Sequence, residues 1–205
     1  MSIFSSVQDL TLEIQNGRMI ILVDNEDREN EGDLVIAAQF VNDQHINFMA
    51  TEGRGLICLA LPPSQVDQLK LPLMKSEFHE SAKLDTAFTM SIEAKHGVKT
   101  GISCQDRART IQVAISPVAK PQDLVVPGHI FPLRSHMLGL KGRNGHTEAS
   151  LDLVEKANLS NKSAVICEIL NFDGTMSRQK DLILFAKKHG LKLGTIQSLI
   201  DYKGS

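Results

Sequence analysis

The chain is predicted to be α/β with α+β character: a single three-layer domain with a mixed, twisted sheet flanked by helices. Three observations predict this. Apolar runs of strand length recur at MIILVD (19–24), LICLALP (56–62) and SAVICEIL (163–170). Stretches with helical periodicity and capping residues alternate with them almost throughout. The length of 205 residues suits one large domain or two small ones, and without a repeat or a low-complexity linker one domain over 1–205 is the simpler reading.

The elements follow in order. Val7 to Gly17 reads as a short helix, entered through a serine pair and closed by glycine. MIILVD is a strand that runs into a highly acidic loop, and LVIAAQF (34–40) is the strand leaving it. Asn42 caps a helix to about Thr51, LICLALP returns to strand, and Ser64 to Lys70 is a short helix. The segment 71–85 has no clear periodicity, and structureless loops of that length are usually functional or disordered. TAFTMSIEA (86–94) is the next strand. Ser103 with Asp106 forms a capping box for a helix through about Ile115, and a passage rich in proline and glycine follows, SPVAKPQDLVVPGHIFPLRSH. RNGHT (143–147) opens a helix to about Asn158, and SAVICEIL is an interior strand. A helix at 181–190, the strand LKLGTI and a last short helix QSLIDYK complete the chain.

Composition excludes several classes. Twenty-two basic residues against 24 acidic ones, with no basic stripe, argue against a nucleic-acid surface or an anionic membrane surface. No apolar run approaches the roughly 20 residues that span a bilayer, and the amino terminus lacks the pattern of a signal peptide, so a cytoplasmic protein is expected. Cys58, Cys104 and Cys167 are odd in number, widely spaced and without C-x-x-C, against both a disulfide framework and a zinc knuckle.

Four stretches carry chemistry. DNEDRENEGDL (24–34) crowds six carboxylates around one arginine, Arg28. In an extended segment Asp27, Glu29, Glu31 and Asp33 would share one face at roughly 6–7 Å spacing, a density that repels itself unless a cation sits among it. A calcium EF-hand fails, because the twelfth position counted from Asp27 is Ala38 where a bidentate glutamate is required; a hard divalent ion completed by water and substrate remains. In RNGHTEASLDL, Gly145 and the amides opening the following helix make an anion site, where Arg143 and Thr147 could hold a phosphate and His146 a metal; otherwise Thr147 is an N-cap and His146 a loop histidine. PGHIFPL holds His129 between rigid neighbours, either to fix its position or as a surface turn. Glu168, inside the apolar AVICEIL, needs a partner, a cavity or a raised pKa, and the last two describe a general acid or base.

These motifs, with TAFTMSIEA, GISCQDRARTI, CEILNFDGTM and LGTIQSLIDY in this order, resemble the 3,4-dihydroxy-2-butanone-4-phosphate synthase family over essentially the whole chain. The resemblance implies a lyase of riboflavin biosynthesis that converts D-ribulose 5-phosphate to 3,4-dihydroxy-2-butanone 4-phosphate plus formate, by enolisation, dehydration, skeletal rearrangement and elimination of C4. It implies Mg2+, or Mn2+ in its place, no organic cofactor, and a homodimer with the active site near the subunit interface. By correspondence, Glu29 and His146 hold the metal. Arg28, Glu29, Asp33, Arg143, Asn144, Gly145, His146, Thr147 and Glu168 bind substrate, and His129 with Glu168 are the acid-base pair. Asp24 and Glu31 rank second, Asp106 and Arg107 are further candidates, and the segment 75–84 corresponds to a loop that helps to close over substrate. Relatives also occur fused to a C-terminal GTP cyclohydrolase II domain. Two alternatives stay open: an aldolase or isomerase for another sugar phosphate, which would release no formate, and a silent binding domain, which would need neither His129 nor Glu168.

Overall fold

The computed structural model describes residues 3–74 and 86–202. The expected closing loop at 75–84 therefore lies outside the described residues. Helix α1 (Val7–Gln15) starts where the Ser6 side chain accepts the Asp9 amide, and ends before Gly17, whose φ of +72° suits a residue without Cβ. The remaining elements are β1 (Ile20–Val23), β2 (Gly32–Ala37), α2 (Asp43–Phe48), β3 (Cys58–Leu61), α3 (Pro63–Gln68), β4 (Ile92–Ala94), α4 (Cys104–Ala114), β5 (Leu124–Arg134), α5 (His146–Lys156), β6 (Ala164–Glu168), α6 (Gln179–His189), β7 (Lys192–Thr195) and α7 (Ile196–Asp201).

The strands form one mixed sheet in the order β4-β5-β3-β6-β2-β1-β7. β1/β7 and β3/β5 run parallel, and the other neighbours run antiparallel. Because side chains alternate along a strand, the central strands β1, β2, β3 and β6 feed two cores. Ile21, Leu34, Leu59 and Val165 pack under α2, α3, α4 and α6, whereas Ile20, Val35, Ala60 and Ile166 pack under α1, α5 and α7. The expected three layers follow. Burying one such Leu or Ile side chain contributes about 1.5–3 kcal/mol, so strands buried on both faces carry much of the stability.

Four local expectations are corrected. The strand after the acidic loop covers 32–37 rather than 34–40, because Ala38–Phe40 tighten into a 3₁₀ turn; Asp33 thereby lies within β2. The strand over 86–94 is formed only at Ile92–Ala94, and Phe88 and Thr89 make single bridges. Part of the passage rich in proline and glycine is the 11-residue strand β5, which pairs with β4 on one side and β3 on the other. Ser103 caps α4, but the buried Asp106 carboxylate accepts the amides of Lys99 and Gly101 instead of closing a capping box.

Candidate active site

The acidic loop is a compact turn, not the extended segment expected. Arg28 and Asn30 both donate their amides to the Asn25 carbonyl, and Asn30 takes a left-handed φ of +55°. The turn is organised around the buried Asp24 carboxylate. Its Oδ1 accepts the Glu31 amide at 2.8 Å, and its Oδ2 accepts the Glu29 amide at 3.1 Å and the Arg28 guanidinium at 2.9 Å. Arg28 also pairs with Glu29. Of the four alternating acids, Glu29, Glu31 and Asp33 face a common cavity, while Asp27 faces a neighbouring hollow.

That cavity, of about 160 Å³, is lined by Arg28, Glu29, Glu31, Asp33, Arg143, His146, Thr147 and Glu168 over a floor that includes Cys58, Leu133 and Ile166. Sheet register explains the meeting of residues so distant in sequence: Asp33 on β2 sits opposite Glu168 on β6, both at the strand ends nearest the acidic turn. Glu168 is half-buried, and its Oε2 accepts the Leu56 amide at 2.7 Å. A Cβ on Gly55 would lie 2.5 Å from that oxygen, so this approach requires glycine.

Helix α5 opens on the opposite wall. Gly145 is its N-cap and no side chain caps it, so Thr147 belongs to the first turn and is not the N-cap. Uncapped first-turn amides with the positive end of the helix dipole form an anion site. Arg143 stands beside them, donating Nη1 to Glu148 at 2.8 Å and Nη2 to Thr86 at 2.6 Å. A Cβ on Gly145 would come within 2.1 Å of that guanidinium nitrogen. Asn144 is exposed and lines the neighbouring hollow with Asn25, Asp27 and Gln197.

His146, the first residue of α5, is 6 % exposed. Its Nδ1 lies 3.8 Å from Glu29 Oε2 and 3.9 Å from Asp33 Oδ1, and its buried Nε2 has no hydrogen-bond partner among the described residues. Asp24, Glu29 and His146 also bring one ligand atom each within 4.8 Å of one another. A small hard cation bonded at about 2.1 Å to two ligands holds them about 3 to 4.2 Å apart, which matches the separation of His146 from Glu29. The Asp24 oxygens already accept three hydrogen bonds, so Glu29 and His146 are the donors that fit an ion, with Asp33 adjacent.

The electrostatics fit the same reading. The His146 ring and Arg28 hold Glu29 below its ordinary pKa. Burial pushes Asp33 up to about 7 against the pull of His146. Burial opposes a charged His146 too, but the Asp33, Glu29 and Asp24 carboxylates outweigh it and raise the imidazolium to about 9. Burial and neighbouring Glu29 likewise raise Glu31. Cys58 is pushed well above the ordinary thiol range by burial, so it supplies shape and no thiolate.

His129 does not line the cavity. It projects, 43 % exposed, from β5 where the pairing with β4 is irregular, with its Nδ1 2.6 Å from Glu93. Asp106 and Arg107 are likewise absent from the lining. Sequence reasoning missed Thr86, which holds Arg143, and Arg178, whose guanidinium reaches the Glu29 and Asn30 carbonyls. No motif marks Arg178 as part of the acidic loop, which precedes it by some 150 residues.

Residues 8–202 match the family model described as 3,4-dihydroxy-2-butanone 4-phosphate synthase. A synthase of that name from Neisseria meningitidis serogroup A is 52 % identical over 203 residues, covering 99 % of this chain and 55 % of its own length. One from Agrobacterium fabrum is 46 % identical over 198 residues, covering 97 % of this chain and 92 % of its own length. A solved synthase structure in complex with two magnesium ions superposes with a TM-score of 0.90 at 36 % identity, covering 97 % of this chain and 96 % of that one. The chain spans about half the length of most of the curated relatives it matches most strongly. Family model, relatives and fold agree that the chain belongs to the 3,4-dihydroxy-2-butanone 4-phosphate synthase family.

Proposed function

We propose that this chain, as a single synthase domain over 1–205, converts D-ribulose 5-phosphate to 3,4-dihydroxy-2-butanone 4-phosphate and formate for riboflavin biosynthesis. The observation that carries this reading is the convergence, in one cavity of a chain of this family, of a cation-ready Glu29–His146 pair, the Glu168 carboxylate and an uncapped helix start beside Arg143. Glu29 and His146 would hold Mg2+, or Mn2+ in its place; the bound ion lowers the energy of oxyanion charge that develops on the sugar. Arg143, Thr147 and the first-turn amides of α5 bind the phosphate end and orient the sugar. Arg28, Asp33 and Glu31 meet its hydroxyls. Glu168, steadied through Oε2 by Leu56, moves protons at the carbons and hydroxyls that react. The buried floor of Cys58, Leu133 and Ile166 excludes bulk water from the enol. Atoms balance without an oxidant, because the water lost on dehydration returns when C4 leaves as formate.

His129 completes the acid-base set in a homodimer. Since His129 and Glu93 do not line the cavity of their own chain, we place them at the cavity of the partner subunit. Mixing two inactive variants, His129→Ala and Glu168→Gln, then restores activity through heterodimers; silence after subunit exchange sinks that placement. A cytoplasmic location fits this role, and among the described residues no helix is long and apolar enough to cross a membrane.

The reaction itself is tested by incubating the purified chain with ribulose 5-phosphate, with magnesium or with a chelator, and quantifying formate and the four-carbon phosphate. Equal amounts of both, lost with chelator, are expected. Folded, metal-loaded protein that releases no formate overturns the assignment.

A further inference from the structure

We infer that Arg178 is a positioning residue for the cation site: its guanidinium holds the Glu29 and Asn30 carbonyls and so fixes the direction from which Glu29 enters the cavity. The inference rests on the proposed Glu29–His146 metal site. Two clamps act on the acidic turn from opposite sides. From within, the Asp24 carboxylate collects the amides of Glu29 and Glu31. From outside, Arg178 Nη1 donates to the Glu29 carbonyl at 2.7 Å and to the Asn30 carbonyl at 2.5 Å. Nη1 carries two hydrogens, so one nitrogen serves both carbonyls, in the fixed plane of the guanidinium.

The clamp matters because of what lies between its two points. Asn30 holds a φ of +55°, a left-handed conformation uncommon for residues other than glycine, though asparagine tolerates it better than most. Rotation there would turn the 29–30 and 30–31 peptide planes against each other and move the Glu29 carboxylate relative to His146. Arg178 is itself well anchored. It is the N-cap residue of α6, its amide donates to Asp181 at 3.0 Å, and Leu182 in the same helix packs where a Cβ on Gly32 would lie 2.5 Å from it. The helix thus transmits a fixed position to the turn, as residues behind a ligand commonly do in metal sites.

Charge and position make opposite predictions, which gives a sharp test. The Arg178 guanidinium, 4.0 Å from the Glu31 carboxylate that lines the same cavity, repels a divalent cation held there, so by Coulomb's law its removal tightens metal binding. If Arg178 acts by position, its removal weakens binding. The experiment is Mn2+ binding to the full chain without substrate, followed by electron paramagnetic resonance of the free ion, for the natural protein, Arg178→Ala, Arg178→Lys and His146→Ala. We expect Arg178→Ala to melt cooperatively and to weaken Mn2+ affinity about tenfold, the usual cost of losing such a support. Arg178→Lys, which keeps the charge but loses the planar fork, falls in between and decides the matter should the alanine variant not fold. Affinity equal to or tighter than the natural protein's in the folded variant overturns the inference while leaving the metal site standing. Natural protein that binds no better than His146→Ala overturns the metal site and the inference with it.

Discussion

Asp24→Asn tests whether Asp24 shapes the acidic turn. The substitution keeps size and shape but replaces one acceptor oxygen by an amide group. The Asp24 side chain is 1 % exposed and accepts three hydrogen bonds, two from the amides of Glu29 and Glu31 and one from Arg28. Asparagine can satisfy one side only, so its NH2 faces a donor on the other. Losing one hydrogen bond to a buried charge costs about 1.5–3 kcal/mol. The lost pairing with Arg28 adds about 1 kcal/mol, near the value of an exposed pair because Arg28 keeps its contact with Glu29. A total of about 3 kcal/mol lowers the melting midpoint by about 6–12 °C for a domain of this size. Thermal and urea melts of the metal-free protein measure it, with an unchanged urea slope to show that the unfolded state is not the cause. A midpoint within about 2 °C of the natural protein's would show that the turn does not depend on Asp24, and the organising role assigned to it would be wrong.

Other perturbations separate the remaining roles. Glu168→Gln keeps an acceptor for the Leu56 amide but cannot take a proton, so turnover should fall at least about 10²-fold with KM little changed; an affinity loss at unchanged turnover contradicts proton transfer. His146→Ala should abolish the magnesium dependence of ligand binding in calorimetry, and a variant with the natural magnesium response counts against ligation. Burial lowers the pKa of His45, whose Nδ1 accepts the Asn42 amide at the start of α2. A depressed histidine contributes stability that is present above the unfolded pKa and lost as pH falls through about 6.5. His45→Gln keeps the cap without a titrating group and should show a shallower loss of melting midpoint between pH 7 and 5; identical slopes would show that His45 does not drive it.

Much of the layered fold was legible locally. Strands such as MIILVD and SAVICEIL are apolar on consecutive residues because both faces are covered, and that pattern survives in the sequence without knowledge of neighbours. Ser6, Asn42 and Gly190 marked helix ends because caps act within four residues of the amides or carbonyls they serve. β5 was not legible, since Pro127 and Pro132 read as breakers until a strand on either side offers pairing. The site divided in the same way. Residue types singled out Glu29, Asp33, His146, Arg143 and Glu168 as candidates, and the family resemblance gave them their roles. Only the tertiary structure decided that Asp24 spends its oxygens on the turn, that Asp27, Asn144 and His129 face away from the cavity of their own chain, that Thr86 lines it, and that Arg178 reaches the carbonyls of the acidic turn. The physical reason is that chemistry resides in side chains and is local, whereas position is set by sheet register and helix docking, which bring Arg178 to Glu29 across 149 positions of sequence.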